Sequence, residues 1–386
     1  MQQRVMHIIT GLDQGGAEAS LFRLVQAGNA PADTHVISLT GDGVYGPLLR
    51  DAGAAVSVLG AKSAPAMAAS VFKIVRLIRR FKPDVIQTWM YHADLVGGLA
   101  GRIARVPVCW GVRAGNISTV HNKRSTMMVM KASARLSGWL ATRIVSPSVE
   151  AIRVHCAAGY ADKFALIPNG YDFTAFQPDD SAKMATRAIL GIDRRAIVVG
   201  HVGRADVLKD HPALLRAFEQ VAATRPDAVL LLAGRGLEMG SPYLQSLLAN
   251  YSCHDRVIAL GPRTDIAAVL NAMDIFVLSS VGEAFPNVVA EAMACGVPCV
   301  VTNVGDAAEI VGDTGWVTPP SDSERLAAAI SGALDLSHEV CARRGRAARE
   351  RVVDRYGIDR MVNGYTAVWA EAIATGRREH SSEKKH

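Results

Sequence analysis

The sequence predicts an α/β protein of two doubly wound domains, each built on a parallel sheet. Short apolar runs alternate with helical stretches along most of the chain, a pattern typical of parallel strands joined by crossover helices. A turn-rich stretch near residue 180 interrupts this alternation, which then restarts. The length of 386 residues is enough for two domains of ordinary size.

The first predicted domain covers residues 1–170. Its apolar runs are short, as expected for strands that are buried on both faces of a parallel sheet. We predict strands at 5–9, 34–39, 55–59, 84–87, 106–110, 143–146 and 164–167. The stretches between them include predicted helices at 16–28, 66–81, 91–104 and 122–138.

A linker is predicted at 171–195, because Pro178-Asp179-Asp180-Ser181 consists of residues favoured in turns and loops. The second predicted domain covers 196–355. Its predicted strands are 196–202, 228–233, 256–260, 274–278 and 298–302. A final helix is predicted at 356–376, and the polar tail 377–386 is predicted to be disordered.

The composition excludes general disorder and gives no sign of a membrane span. Hydrophobic residues make up 49% of the chain and charged residues 20%, as in soluble globular proteins. No apolar run approaches the roughly eighteen residues of a transmembrane helix, and the short run 5–9 resembles a strand rather than a signal peptide. We therefore expect a cytoplasmic protein whose six scattered cysteines are buried and reduced, rather than zinc-bound or paired in disulfides.

Charge is divided unevenly between the two predicted domains. Residues 1–170 contain 19 Lys and Arg against 9 Asp and Glu, whereas residues 171–386 contain 23 against 27. A basic first half indicates an anionic partner or surface. Segments 66–82 and 121–143 combine cations with apolar residues, so each is either an ordinary helix with a solvated basic face or a contact with an anionic membrane. The second alternative predicts a peripheral protein on the inner face of the plasma membrane.

The segment 282–291 carries the most specific chemical signal. It follows the predicted strand 274–278 and places Glu283 in a glycine-containing loop and Glu291 inside the next helix. Free N–H groups at a helix start suit a diphosphate, whereas carboxylates suit the hydroxyls of a sugar. Together they indicate a nucleotide sugar. The alternative is a plain strand–helix unit whose acidic residues interact with the helix dipole.

A second signal follows the first strand of the second domain. The loop 203–211 carries two cations, Arg204 and Lys209, which can flank a diphosphate and stabilise it as a leaving group. In the alternative interpretation, Asp206 and Asp210 balance these cations in a solvated loop.

The Glu pair and the cation loop resemble the E-x7-E and G-R…K-x-H segments of retaining glycosyltransferases of family 4. That resemblance implies the GT-B fold, in which two Rossmann-like domains face each other across a cleft and the last helix crosses back onto the first domain. It also implies that Glu283 contacts the donor sugar and Glu291 the ribose, with Arg204 and Lys209 on the departing diphosphate. Further donor-binding positions are implied at Gly15, Gly16, Gly203, Gly234, Arg263, Phe285, Pro286, Asn287 and Val288, the last four through backbone N–H groups near the sugar and phosphate.

The glycines also have a simpler explanation. Gly15 and Gly16 open the first predicted helix, while Gly234 and Arg263 follow strands of the second domain. Ordinary turns between strands and helices use glycine in the same way.

The catalytic contact from the first domain is left open. Many relatives carry a histidine after the strand that corresponds to 106–110, but this chain has Arg113 there, and the nearest histidines are His92 and His121. We take His92 as the catalytic candidate, with a purely structural histidine as the alternative.

The resemblance implies a hexosyltransferase that uses a nucleoside-diphosphate sugar, with UDP expected before GDP. The acceptor would be a saccharide or a polyprenyl-diphosphate-linked saccharide in surface polysaccharide biosynthesis. No cofactor or metal is expected, because no Asp-x-Asp motif is placed to hold a cation on the diphosphate. Two rivals remain: a sugar-nucleotide epimerase of the same architecture, and a non-enzymatic binding protein. A nucleic-acid partner is not expected, because the chain lacks a basic surface interleaved with aromatic residues.

Overall fold

The computed structural model describes residues 3–28, 31–115 and 124–383. The chain forms two compact units. The first consists of Met1–Tyr171 together with Ile358–His386, and the second is the continuous stretch Asp172–Gly357.

The first unit contains a seven-stranded parallel sheet in the order β3-β2-β1-β4-β5-β6-β7. Its strands are β1 Val5–Ile9, β2 Thr34–Ser38, β3 Ala55–Val58, β4 Val85–Trp89, β5 Val108–Gly111, β6 Arg143–Ser146 and β7 Phe164–Leu166. Its helices are α1 Gly16–Ala27, α2 Tyr45–Asp51, α3 Ala64–Phe81, α4 Tyr91–Ala104, α5 Arg124–Leu140, α6 Val149–Ala157 and, from the other end of the chain, α15 Ile358–Glu383. The strand order reverses between β1 and β4, the position where doubly wound sheets bind ligands.

Helix α15 belongs to the core of the first unit. Met361, Tyr365, Trp369 and Ala372 are buried against residues of β1 and β4, and the Trp369 indole Nε1 donates to Gln87 Oε1 at 3.1 Å. The helix continues through Glu383, so the prediction of a disordered tail from residue 377 is wrong for that part. Residues 384–386 of the predicted tail lie outside the described ranges.

The second unit contains a six-stranded parallel sheet in the order β10-β9-β8-β11-β12-β13. Its strands are β8 Ile197–Val202, β9 Ala228–Ala233, β10 Val257–Ala259, β11 Ile275–Leu278, β12 Cys299–Thr302 and β13 Trp316–Thr318. Its helices are α7 Asp180–Ile189, α8 His211–Thr224, α9 Pro242–Leu248, α10 Ile266–Asn271, α11 Asn287–Ala294, α12 Ala307–Val311, α13 Ser323–Leu334 and α14 His338–Tyr356. Here the order reverses between β8 and β11.

The predicted linker contains helix α7, which is part of the second unit. Asp179 is the N-terminal cap of this helix, and its carboxylate accepts a hydrogen bond from Ala182 N at 2.8 Å. Arg187 is 4% exposed and binds Asp274 Oδ2 at 2.7 Å and the Ala272 carbonyl at 2.9 Å. Residues favoured in turns are also those favoured at helix N-termini, which explains why the sequence suggested a loop.

Three smaller findings bear on the sequence predictions. Cys109, Cys253, Cys295 and Cys299 are buried thiols as expected, but Cys341 is partly exposed and Cys156 is exposed. No helix within the described ranges is both long and apolar enough to cross a bilayer. Likewise, no group of three or more His, Cys, Asp or Glu residues in those ranges is arranged to hold a metal ion.

Candidate active site

Glycines join the loops that follow β8, β9 and β10. Gly234 has φ 143°, and a Cβ atom there would lie 1.9 Å from the Gly203 carbonyl oxygen. Gly234 N donates to Gly261 O at 2.8 Å, and Gly203 N donates to Ala233 O at 2.9 Å. Any side chain at position 234 would therefore separate the loops, so backbone forms this part of the sheet edge.

Lys209 lies on a short loop that is fastened to the segment after β11. Leu208 O accepts from Val281 N at 2.8 Å, and Lys209 O accepts from Ser279 Oγ at 2.7 Å. Asp210, in the left-handed region at φ 47°, caps α8 through Ala213 N. Asp210 therefore acts as a helix cap, and within the described residues it forms no ion pair with Arg204 or Lys209.

The structure brings Lys209 and Glu283 into direct contact. The Lys209 ammonium lies 2.5 Å from Glu283 Oε1, and Ser280 Oγ donates to the same oxygen at 2.7 Å. The two charged side chains are only 18% and 14% exposed. Within the described residues, Glu283 Oε2 accepts no hydrogen bond. A partly buried carboxylate is thus held by one oxygen while the other remains available.

Two arginines of the predicted donor site are engaged locally. Arg204 binds Asp206 Oδ2 at 2.9 and 2.6 Å and is 55% exposed. Arg263 forms a two-pronged pair with Asp265 at 2.8 and 2.5 Å. For Arg204, this pair agrees with the alternative in which an aspartate balances the cation, so the guanidinium would have to exchange partners to reach a diphosphate.

The loop from Glu283 to Pro286 is held by the segment after β12. Asp306 N donates to Ala284 O at 2.8 Å, and a Cβ atom at Gly305, which has φ 53°, would lie 2.3 Å from that same oxygen. The Phe285 ring is buried against Tyr356 at a centroid distance of 5.3 Å. Phe285 can therefore offer a ligand only its backbone.

Helix α11 begins at Asn287, directly after this loop, and carries the partly exposed Glu291 in its second turn. The first N–H groups of a helix lack intrahelical partners. Pro286 has no N–H, so the implied N–H contact cannot come from this residue. Phe285, Asn287 and Val288 are the residues of this loop that can supply one.

Two buried histidines lie beside the Lys209 loop; His211 is the histidine of the G-R…K-x-H segment, whereas His201 was not singled out in the sequence. His201 and His211 pack edge to face with ring centroids 5.0 Å apart. His201 Nδ1 contacts Val277 O at 3.0 Å and His211 Nδ1 contacts the Tyr243 hydroxyl at 3.0 Å. Burial lowers the pKa of both rings, that of His211 to about 4 with a further contribution from Lys209. Both are neutral at physiological pH and pack beneath the loop without adding charge.

Gly15 and Gly16 lie at the start of α1 in the first unit. Gly15 has extended backbone, and a Cβ there would meet only the flexible Glu18 side chain. The glycine that this region requires is Gly43, where φ is 52° and a Cβ would lie 2.1 Å from Leu12 O. Close backbone packing at this edge therefore depends on Gly43, which the sequence pattern did not single out.

Arg113, which stands where many relatives carry a histidine, has a structural role in the first unit. Its guanidinium donates to Asn169 Oδ1 at 2.7 Å and to the Tyr365 hydroxyl at 2.8 Å, and it stacks over Trp89 at 4.4 Å. Arg113 therefore ties α15 to the sheet. His121 lies outside the described residues.

His92 lies in the first turn of α4 and is partly buried, which lowers its pKa. It forms no hydrogen bond within the described part of the chain. The preceding Met90 has φ 72° and ψ 157°, a region used almost only by glycine. The β4–α4 turn that presents His92 is therefore backbone-strained.

A cavity of about 690 Å³ lies elsewhere in the first unit, at the amino ends of β5, β6 and β7. Arg102, Arg105 and Lys163 line it. These cations lie at the carboxyl ends of α4 and α5, and Lys163 Nζ donates to the carbonyls of Gly138 and Ala141. Interaction with helix C-termini accounts for them, and this cavity is at the opposite sheet edge from His92 and Arg113.

Two family models match the chain, one in each half. The model for Glycosyltransferase Family 4 matches residues 14–175, and the model for Glycosyl transferases group 1 matches residues 196–335, which include Lys209, Glu283 and Glu291. Both halves of the chain therefore match models of glycosyltransferase domains. The family resemblance seen in the sequence is confirmed.

Curated relatives match part of this chain. UDP-Gal:alpha-D-GlcNAc-diphosphoundecaprenol alpha-1,3-galactosyltransferase of Escherichia coli is 28% identical over 61% of this chain and 62% of its own length. N-acetyl-alpha-D-glucosaminyl L-malate synthase of Bacillus anthracis is 32% identical over 47% of this chain and 48% of its own length. The chain thus spans about half to three fifths of these relatives.

Solved structures match over nearly the full chain. Anabaena HepE, crystallised in complex with UDP-glucose, has a TM-score of 0.84 at 24% identity, covering 97% of this chain and 100% of that one. Sucrose-phosphate synthase from Thermosynechococcus elongatus has a TM-score of 0.82 at 22% identity. At these identities the likeness shows the fold, and the predicted GT-B class of two parallel-sheet domains is confirmed.

Proposed function

We propose that this glycosyltransferase moves a sugar from a UDP-sugar to a saccharide acceptor, with retention of the anomeric configuration. The contact between Lys209 and Glu283 carries the proposal, because it places a cation suited to a diphosphate beside a carboxylate suited to sugar hydroxyls. Both lie at the edge of the sheet where the strand order reverses, between β8 and β11.

In the proposed site each group has one task. Glu283 accepts hydrogen bonds from sugar hydroxyls through Oε2, and Glu291 accepts from the ribose. Lys209 stabilises the departing diphosphate, joined by Arg204 once it leaves Asp206, and the N–H groups of Phe285, Asn287 and Val288 stabilise sugar and phosphate. His92 is proposed as a catalytic residue. Gly203 and Gly234 allow the diphosphate to approach the backbone closely.

UDP is the proposed nucleotide, with GDP as the next candidate. The name of the Escherichia coli relative contains UDP-Gal, and HepE was crystallised with UDP-glucose. The acceptor is proposed to be a lipid-diphosphate-linked saccharide. The diphosphoundecaprenol in the name of the same relative and the excess of cations in residues 1–170 support an anionic acceptor.

Peripheral contact with an anionic membrane is proposed at α5 rather than α3. The apolar face of α3 packs in the core, and Phe72 is the one large apolar side chain that this helix exposes beside its cations. By contrast, α5 exposes Met128 and Trp139, at 67% and 55%, on the side that also exposes Arg124, Lys131 and Arg135. Cations around exposed apolar side chains suit the interface of an anionic bilayer.

Vesicle sedimentation tests the membrane contact. Phosphatidylglycerol vesicles at low salt should sediment the wild type, and 0.5 M NaCl should release it. Met128→Ser with Trp139→Ser should abolish sedimentation, while Phe72→Ser on α3 should not change it. Absence of wild-type binding at low salt would reject the contact.

Thermal shift with UDP, GDP, ADP and their sugar conjugates tests the donor proposal, with Lys209→Ala and Glu291→Ala beside the wild type. UDP should raise the unfolding temperature of the wild type, and both variants should blunt that rise. Repeating the titration in EDTA tests the proposed metal independence, since Lys209, Arg204 and N–H groups supply the positive charge. No shift with any nucleotide would reject the proposed donor site.

A further inference from the structure

We infer that two adjacent buried serines, Ser279 and Ser280, divide the candidate donor site into a phosphate half and a sugar half. Each positions one member of the Lys209–Glu283 pair. The inference rests on the proposed function, and it assigns roles to two residues that neither the motif nor the family resemblance singled out.

Ser279 positions the cation. Its hydroxyl donates to the Lys209 carbonyl at 2.7 Å, next to the backbone bond from Val281 N to Leu208 O at 2.8 Å. These two bonds fasten the short loop on which Lys209 lies to the end of β11. The Lys209 side chain therefore starts from a backbone position that Ser279 fixes.

Ser280 positions the carboxylate. Its hydroxyl donates to Glu283 Oε1 at 2.7 Å, and its carbonyl accepts from Thr302 Oγ1 at 2.6 Å, which anchors it to the end of β12. Since Oε1 accepts from both Ser280 and Lys209, rotation of the carboxylate is restricted. The orientation of Oε2, the oxygen proposed to accept from the sugar, is thereby set.

The place of β11 in the sheet accounts for this division. The two serines directly follow β11, which lies between β8 and β12. Ser279 reaches the loop after β8, whereas Ser280 is bound to Glu283 and β12. Both serines are fully buried, so their hydroxyls depend on these partners rather than on water.

Removing either hydroxyl should affect one half of the donor only. Ser279→Ala should weaken UDP and UDP-sugar binding by the same factor, roughly three- to tenfold, as expected for one lost hydrogen bond. Ser280→Ala should leave UDP binding unchanged. It should reduce the affinity ratio of UDP-sugar to UDP by roughly three- to tenfold, because Oε2 is no longer oriented.

Isothermal titration of the full-length protein with UDP, UDP-glucose, UDP-galactose and UDP-N-acetylglucosamine tests this division. The two alanine variants serve as matched controls for each other, since they remove the same group from neighbouring buried positions. Ser280→Thr keeps the hydroxyl and should restore the wild-type ratio. Unfolding temperatures measured without ligand report any general loss of structure.

The outcomes separate the two proposals. A wild type that binds no uridine nucleotide would overturn the proposed function and this inference with it. Wild-type binding with an equal loss of UDP and UDP-sugar affinity in both alanine variants would overturn the division alone. An unchanged affinity ratio in Ser280→Ala would do the same.

Discussion

Glu283→Gln should bind UDP more tightly than the wild type while losing transfer activity. In the free protein the Lys209 ammonium is paired with Glu283 Oε1 at 2.5 Å. A diphosphate that binds Lys209 must compete with this carboxylate. Glutamine retains the oxygen that accepts from Ser280 but removes the negative charge, so the competition weakens.

The size of the effect follows from the partial burial of the pair, which is 18% and 14% exposed. A hydrogen bond between charged groups contributes about 1.5–3 kcal/mol, and a neutral acceptor retains part of it. Removing the charge should therefore relieve on the order of 1–1.5 kcal/mol of competition, which lowers the UDP dissociation constant roughly five- to tenfold. Loss of the contact to the sugar hydroxyls should reduce the transfer rate by roughly 100-fold.

Titration calorimetry with UDP and a donor-turnover assay measure the two effects on the same preparations. Glu219→Gln is a matched control, because Glu219 lies on α8 and accepts from Ser252 rather than from a lysine. It should change neither quantity. Weaker UDP binding by Glu283→Gln would refute the reasoning, because it would mean that the carboxylate aids diphosphate binding instead of competing for Lys209.

Three further predictions concern stability and backbone geometry. Burial raises the pKa of Asp94 to about 8, although hydrogen bonds from Thr88 and Gly111 N act to lower it. The folded state therefore keeps a proton that the unfolded state releases near pH 4, so the free energy of unfolding falls as pH rises from about 4 to 8. Asp94→Asn should flatten that fall in thermal unfolding measured from pH 5 to 8. Arg113→Met should lower the free energy of unfolding by roughly 2–4 kcal/mol, because Asn169 and Tyr365 each lose a hydrogen bond. Limited proteolysis should then cleave α15 first, and protection of α15 equal to the wild type would contradict this. Gly234→Ala should abolish UDP binding, because its Cβ would lie 1.9 Å from Gly203 O, whereas Gly240→Ala, with open space at that position, should leave calorimetric UDP binding unchanged.

The strands were predictable because most of them are short apolar runs buried on both faces. All five residues of β1 are buried, as are all four of β11. The three-residue strand β13 was missed, since Trp316 and Val317 remain partly or largely exposed and leave no apolar run. Helix α7 was missed because the residues around its cap, Pro178-Asp179-Asp180-Ser181, are also those favoured in turns.

The candidate site was predictable only where its residues are close in sequence. Glu283 and Glu291 share one strand–helix unit, and Arg204 and Lys209 share one loop. The contact between Lys209 and Glu283 joins residues 74 positions apart, and no local pattern indicates it. Ser279, Ser280, His201 and His211 acquire their roles from neighbours across β8 and β11, which only the folded sheet brings together.

The position of α15 has a consequence for the order in which the two units can be completed during synthesis. The second unit is continuous, from Asp172 to Gly357, so all of its residues have been synthesised before α15 is made. The first unit lacks Tyr365 and Trp369 until α15 has been synthesised, and until then Trp89 and the neighbouring apolar residues of its sheet lack the helix that covers them. Vectorial synthesis usually lets the N-terminal domain finish first. In this chain the first unit can close only after the second unit has been synthesised, and a nascent chain stalled before residue 358 would present an unfinished hydrophobic surface to chaperones.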